Sequence, residues 1–318
     1  MSLKIIGTGR GLPLRQVSND ELATFLDTSD EWISSRTGIQ SRPICTSETL
    51  TDLATAAAQQ ALANAALRPA DIDVLICATI EGDFRTPSLA YCVSERLGLT
   101  GRALDLNTAC TGFIYALDLA SLYLEQQKAH YVLIVCAEMM SKHTDWTDRS
   151  TCVLFGDGAA ACVATQGQAL RYLNLITSPA VSILNLPSGS GNSPFASQPR
   201  PDGFLHMDGQ EVFKFAVNAV LQEIAQVTST LSLAPEQIDY YLLHQANGRI
   251  IDAVRSHTDL PVTKFPRNIA HYGNISAVTI PLLLSEMLDE QLIKAGDILF
   301  MAAFGAGMSV GSCVLFWE

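Results

Sequence analysis

Basic residues are scarce in this sequence: 20 Lys and Arg stand against 32 Asp and Glu, a formal net charge of −12 at pH 7. That deficit argues against nucleic acid and anionic membrane surfaces as partners, because both draw cations and repel an acidic surface. Charge of either sign is thin at 16% of residues, whereas 48% are apolar. Such a balance suits sheets or helices buried on both sides, or a broad subunit interface. Yet no run approaches the roughly eighteen apolar residues a membrane span needs. The opening stretch, Met1 to Gly7, reads as a strand without the apolar segment and cleavage site of a secretory leader, so a cytoplasmic protein is expected. Paired CxxC spacing is also missing. Cys45, Cys77, Cys92, Cys136, Cys152, Cys162 and Cys313 lie mostly in apolar runs. They read as reduced core thiols, with neither a disulfide framework nor a metal site expected.

The eighth cysteine stands apart. Cys110 follows the strand-like run Ala103 to Leu106 and precedes Phe113, Ala116, Leu117, Ala120 and Leu124, the spacing of a helix with one buried face. A thiol at a helix N-terminus feels unpaired N–H groups and the positive end of the macrodipole, which favour thiolate. A lone cysteine there is ordinarily a packing residue. Its reading as a nucleophile depends on the residues that accompany it.

The chain repeats itself. Leu67-Arg-Pro69-Ala-Asp-Ile72-Asp73 matches Leu233-Ala-Pro235-Glu-Gln-Ile238-Asp239, a helix end, a blocking proline and a following strand, 166 positions later. The same offset carries Tyr131 to Ala137 onto Asp297 to Ala303, and Cys110 onto Ser276. Two similar α/β halves are expected, 1–165 and 166–318. Residues 187–203, rich in Ser, Gly and Pro, read either as a linker or as an excursion that carries Phe195 over a binding tunnel. Halves packed about a pseudo-twofold axis would bring their matching helix starts face to face.

Polar residues in the second half cluster where strands end. His244 closes the run Ile238 to Leu243, the end of a strand where α/β sites are built. Asn274 precedes an apolar helix, where N-capping is the ordinary role of Asn. Phe304-Gly305-Ala306-Gly307-Met308-Ser309-Val310-Gly311 is a small-residue turn that allows close backbone approach and an N–H aimed at an oxyanion.

Taken in order, five segments carry a resemblance over essentially the whole length: Asp30-Glu31-Trp32-Ile33-x-x-Arg36-Thr37-Gly38-Ile39, Asn107-x-Ala109-Cys110-x-Gly112-Phe113, Asp148-Arg149 with Phe155-Gly156-Asp157-Gly158, His244-Gln245-Ala246-Asn247-x-Arg249-Ile250, and Gly273-Asn274-x-Ser276-Ala277. The chain resembles the thiolase superfamily, specifically β-ketoacyl-acyl carrier protein synthase III. That resemblance implies a thiolase-like fold, two duplicated α/β halves in a layered α-β-α-β-α sandwich. It implies a decarboxylative Claisen condensation of an acyl-CoA primer with malonyl-acyl carrier protein or malonyl-CoA, as in the initiation of fatty-acid synthesis. Cys110, His244 and Asn274 would be catalytic, with oxyanion donors from the backbone of Cys110, Ala306 and Gly307. CoA would contact Thr28, Trp32, Arg36, Arg149, Gly209, Phe213 and Asn247. Thr86 would be the gate of the acyl pocket, and Lys214, Arg249 and Arg255, with Lys264 and Arg267 beside them, would dock the carrier. The resemblance further implies a homodimer and no cofactor, acyl-CoA being a substrate.

Departures from the family pattern are specific. Ala306 replaces the middle glycine of a Gly-Gly-Gly turn, and its methyl group would resist a positive φ. Thr86 stands where some relatives carry Phe, which leaves room for branched or longer primers. The acidic balance obliges an acidic carrier to find a local cationic patch. Three alternatives stay open on the sequence: a related acyltransferase or condensing enzyme of secondary metabolism with a non-standard acceptor, a papain-like hydrolase, and a silent subunit of a heterodimeric condensing enzyme.

Overall fold

The computed structural model describes residues 3–188 and 203–318. Most of 187–203, Phe195 included, lies outside them. Chain order begins with β1 (Lys4–Gly11), β2 (Gln16–Ser18), α1 (Asn19–Leu22), α2 (Asp30–Thr37), β3 (Ser41–Pro43), α3 (Leu50–Asn64), β4 (Val74–Ala78) and α4 (Leu89–Leu97). It continues through β5 (Arg102–Leu106), α5 (Gly112–Glu125), β6 (Tyr131–Met139), β7 (Asp157–Thr165), β8 (Leu170–Thr177), β9 (Leu184–Asn185) and β10 (His206–Met207). The remainder is α6 (Gly209–Leu231), β11 (Tyr240–Leu243), α7 (Gly248–Thr258), α8 (Ile269–Tyr272), α9 (Thr279–Asp289), β12 (Ile298–Gly305) and β13 (Ser309–Phe316).

Two mixed sheets dominate, ordered β1-β7-β6-β4-β5 and β11-β12-β13-β8. Strands β4, β11 and β12 are apolar without interruption because both faces are covered. Val132, Ile134 and Cys136 of β6 point into a central core with α5 and α9, as do Leu299, Met301 and Ala303 of β12. The alternate residues Leu133, Val135 and Ala137 pack outward under α3 and α4. Phe300, Ala302 and Phe304 pack outward under α6 and α7. The result is five layers, α3/α4, sheet, α5/α9, sheet, α6/α7. Cys77, Cys136, Cys162 and Cys313 are free, buried strand residues. Burial pushes the last two up to about 12.

Strand order repeats between the sheets: β8, β13, β12 and β11 succeed one another as β1, β7, β6 and β4 do. β4 and β11 begin at 74 and 240, and β1 and β8 at 4 and 170. β5 has no counterpart strand among the described residues, and the stretch at its offset folds as the short helix α8. The repeat extends to backbone strain. Ala66 and Ser232 have φ of 54° and 53°, and Ala109 and Ser276 have φ of 48° and 49°. The last pair corrects the sequence register by one residue. Ser276 is the twin of Ala109, so Cys110 corresponds to Ala277.

Candidate active site

Two turns of the same design meet at the centre. In the first, leaving β5, Asn107 Oδ1 accepts the Ala109 N–H at 3.3 Å and its amide donates to the Ile80 carbonyl at 3.2 Å. Ala109 then takes the left-handed conformation and delivers Cys110 to the start of α5. In the second, Asn274 Oδ1 accepts the Ser276 N–H at 2.8 Å. With that oxygen engaged by an N–H donor, the carboxamide nitrogen is the end left for a ligand. Gly112 lets the turns touch: a Cβ there would stand 3.0 Å from Ala78 Cβ and 3.1 Å from Ala277 Cβ.

The β12–β13 turn closes over the cysteine. A Cβ on Gly305 would stand 2.9 Å from Cys110 Cβ and 3.0 Å from its backbone nitrogen. The positive φ of this turn, 105°, falls on Gly307, and Ala306 is not among the positive-φ residues. The strain expected at Ala306 therefore does not arise, because the methyl group occupies ordinary backbone space. Among the described residues, the Ala306 N–H donates to no protein acceptor, and the Cys110 N–H is turned to its own sulfur.

Cys110, His244 and Asn274 all line one cavity of about 260 Å³, walled for the most part by apolar side chains that include Ile80, Met140, Leu154, Phe155 and Leu205. An open depression of about 800 Å³ adjoins it, edged by His206, Asp208, Lys214 and Arg249. Met207, Gly209, Phe213 and Asn247 line both spaces. They form the passage between surface and cysteine. The Asn247 side chain also caps α7, accepting the Arg249 N–H at 2.9 Å.

Electrostatics differ from the sequence expectation. Burial pushes the Cys110 thiol up to about 11, the nearby Glu138 carboxyl adds to the rise, and the Ser276 hydroxyl acts in the opposite direction. Desolvation thus outweighs the helix terminus in the resting site, and the thiol rather than the thiolate is the resting form. Burial likewise pushes His244 down to about 3, which keeps the ring neutral. The ring is held by Thr279 Oγ1, 2.6 Å from Nδ1, and by the edge-on Phe304 ring at 5.2 Å.

Glu138, Ser276, Thr279 and Gly305 escaped sequence reasoning as site residues. Gly305 and Ser276 stood in segments already singled out by motif and Thr279 left no signal, whereas Glu138 shows as a carboxylate at the end of an otherwise apolar strand. It is 1% exposed, accepts the Ile80 N–H at 3.1 Å, and leaves Oε1 unpartnered. The Ser276 hydroxyl faces both this carboxyl and the Cys110 thiol without closing a tight hydrogen bond to either. Burial pushes Glu138 from an ordinary 4.5 up to about 8. Folding therefore takes up a proton between about pH 4.5 and 8, and stability falls as pH rises through that window. Glu138→Gln should flatten this slope, its melting temperature exceeding wild type most at pH 8 and least at pH 5. Thermal melts across that range check it, and an unchanged slope would refute the assignment.

The remaining expected positions fall into two groups. Trp32 has the Arg36 guanidinium 4.7 Å and the Arg149 guanidinium 5.1 Å from its ring centroid. Arg149 is anchored by the Asp27 carbonyl at 2.5 Å and carboxylate at 3.5 Å. A planar base needs about 3.5 Å on each side, so the Trp32–Arg149 slot is closed and opens only if Arg149 swings out. Thr28 carries a buried, unpartnered hydroxyl. None of Thr28, Trp32, Arg36 and Arg149 lines the cavity, but α2 abuts the start of α7, where Gly38 and Gly248 are in contact. Thr86 is exposed, with a cis bond to Pro87, and stays outside its own chain's cavity.

Among the candidate docking cations, Lys214 is paired with Glu211 at 2.7 Å, Lys264 with the Ile238 carbonyl, and Arg267 with Asp252. Arg255 is half-buried. Arg249 is exposed at the mouth, its guanidinium 6.0 Å from the Phe213 ring centroid.

Five layers, a repeated sheet order and a cysteine delivered by one of two matching central turns define a protein of the thiolase-like fold. Residues 104–177 match the family model described as 3-oxoacyl-[acyl-carrier-protein (ACP)] synthase III, and residues 229–317 match its C-terminal counterpart. The β-ketoacyl-[acyl-carrier-protein] synthase III of Clostridium acetobutylicum is 40% identical over 99% of each chain. The crystal structure of 3-oxoacyl-[acyl-carrier-protein] synthase III from Aquifex aeolicus superimposes with a TM-score of 0.92 at 39% identity, covering 99% of this chain and 100% of that one. A priming β-ketosynthase from the R1128 polyketide biosynthetic pathway matches with a TM-score of 0.92 at 31% identity, covering 100% of this chain and 96% of that one. The chain belongs to the 3-oxoacyl-[acyl-carrier-protein] synthase III family.

Proposed function

We propose that the chain condenses an acyl-CoA primer with a malonyl thioester, releasing CO₂ and forming a β-ketoacyl thioester. The observation that carries this reading is the single cavity in which Cys110, His244 and Asn274 stand together at the end of a passage from the surface. Cys110 sulfur attacks the primer carbonyl, the bond to CoA sulfur breaks, and the thiol proton leaves on CoA. The backbone N–H groups of Cys110 and Ala306 hold the oxyanion. Malonyl thioester then enters. Its carbon–carbon bond breaks, CO₂ departs with the bond's electron pair left behind, and the enolate oxygen is met by His244 and the Asn274 amide. The enolate carbon attacks the acyl carbonyl, the carbon–sulfur bond to Cys110 breaks, the released thiolate takes up a proton from water, and the β-ketoacyl product leaves. Every developing charge meets a protein donor, so the reaction as written uses acyl-CoA as substrate and needs no resident cofactor.

Membership of the synthase III family supports an acyl-carrier-protein-bound extender, with Arg249 its first contact at the mouth and pantetheine passing Gly209, Phe213 and Asn247. The same reading assigns Thr28, Trp32, Arg36 and Arg149 to the nucleotide end of CoA. It also makes the functional unit a cytoplasmic homodimer in which Thr86 gates the neighbouring copy's cavity. No helix among the described residues is long and apolar enough to cross a membrane. The likeness to the R1128 priming ketosynthase supports a second reading, the same chemistry with an acceptor of secondary metabolism.

The test is condensation with acetyl-, isobutyryl- or octanoyl-CoA as primer, and malonate supplied either on carrier protein or on CoA. Product formation with CO₂ release is expected. A small Thr86 and an apolar cavity predict that the branched and longer primers match or exceed acetyl-CoA, and that Thr86→Phe reverses the order. Strong acetyl preference in the wild type would refute the gate. Acyl transfer without CO₂ release would replace condensation by simple acyl exchange.

A further inference from the structure

The Thr279 side chain sits where α9 begins, 3% exposed, and its hydroxyl oxygen has three neighbours. His244 Nδ1 lies at 2.6 Å, the Ser276 carbonyl at 3.2 Å and the Gln245 backbone N–H at 3.4 Å. A hydroxyl has one hydrogen to give. Given to the Ser276 carbonyl, it obliges Nδ1 to carry the ring hydrogen, and Nε2 is left with a bare lone pair. Given to Nδ1, it places the ring hydrogen on Nε2. Two facts favour the second arrangement. The His244 contact is shorter by 0.6 Å, and the Gln245 N–H already points at the oxygen's acceptor side. Burial keeps the ring neutral, so only the choice of tautomer separates a donor from a base.

We propose that Thr279 is a positioning residue that fixes His244 with its hydrogen on Nε2, making the imidazole a hydrogen-bond donor to the malonyl-derived enolate rather than a general base. Thr279 touches neither substrate; it acts through the ring, in the way that the bond made by one imidazole nitrogen sets the state of the other. The assignment rests on the condensing reaction proposed above. It divides that reaction in two: primer transfer to Cys110 needs no donor from His244, whereas decarboxylation does.

The test uses the full-length protein with histidine labelled in both ring nitrogens, together with Thr279→Val and Thr279→Ser. Nitrogen spectra should show His244 protonated at Nε2 in the wild type and in Thr279→Ser, and at Nδ1 in Thr279→Val. Malonyl decarboxylation should fall in Thr279→Val by about 10²-fold or more, the scale of losing one preorganised donor, with the rate of Cys110 acylation by acyl-CoA unchanged. Thr279→Ser should restore it. The proposal is overturned if Thr279→Val keeps the Nε2 hydrogen, if the wild type carries it on Nδ1, or if both half-reactions of Thr279→Val fall together while Thr279→Ser is normal. A wild type that never decarboxylates malonyl thioesters would count against the reaction itself, and the nitrogen spectra would still decide for or against Thr279.

Discussion

Incubated with an acyl-CoA and then desalted, the protein should gain the mass of one acyl group per chain, and the Cys110→Ala variant should gain none. The expectation follows from the position of the sulfur and not from any reactivity at rest. Cys110 is delivered by the strained Ala109 turn to the wall of the cavity, with the unengaged backbone N–H of Ala306 and its own N–H at hand. The seven other cysteines carry no such combination, and Cys77, Cys136, Cys152, Cys162 and Cys313 are buried. Turnover should drop on the order of 10³-fold or more, since losing the nucleophile of a concerted set removes the effect of its partners too. A thiol near 11 further predicts slow alkylation by iodoacetamide at pH 7 and faster alkylation as pH rises. An adduct that survives in Cys110→Ala would overturn the assignment of nucleophile.

Gly305→Ala should disable the site while leaving the fold standing. The new methyl carbon would come within 2.9 Å of Cys110 Cβ and 3.0 Å of its nitrogen, a distance that atoms do not tolerate. Either the β12–β13 turn lifts or the Cys110 turn recedes. Overpacking of this kind costs about 1–3 kcal/mol, which a chain of this size absorbs with a melting point lowered by a few degrees. Catalysis is less forgiving. Displacing the Ala306 N–H from the oxyanion position by about 1 Å should lower kcat roughly 10²–10³-fold. Turnover measured beside a thermal melt separates the two effects. Near-normal kcat would show that this turn does not supply the oxyanion donor.

Much of the architecture was legible because burial on both faces of a sheet leaves a mark in sequence. The runs at 74–78, 131–137 and 298–305 are apolar throughout, and each lies in a strand enclosed by helices. The Pro69 and Pro235 segments announced the repeat because proline stops helices wherever it occurs. The placement of Cys110, His244 and Asn274 at one cavity was legible only through motif order, since nothing in their neighbourhoods states that residues 30 to 164 positions apart are brought together. Other features left no trace. Ala109 and Ser276 adopt positive φ without being glycine, so the backbone conformation that fixes the register of the two turns has no mark in residue type. The high thiol pKa depends on burial by the β12–β13 turn and the Ser276 turn, which is tertiary. The closed Trp32–Arg149 pair likewise depends on the Asp27 anchor.

The twin central turns have one further consequence. Each begins with an asparagine whose oxygen locks a strained residue two places on, yet the Asn107 amide is spent on the Ile80 carbonyl while the Asn274 amide is not. One ancestral bend has thus been put to two uses within a single molecule, as scaffolding on one side and as equipment on the other. Giving the Asn274 amide a neighbouring carbonyl of its own would silence it without moving an atom of backbone.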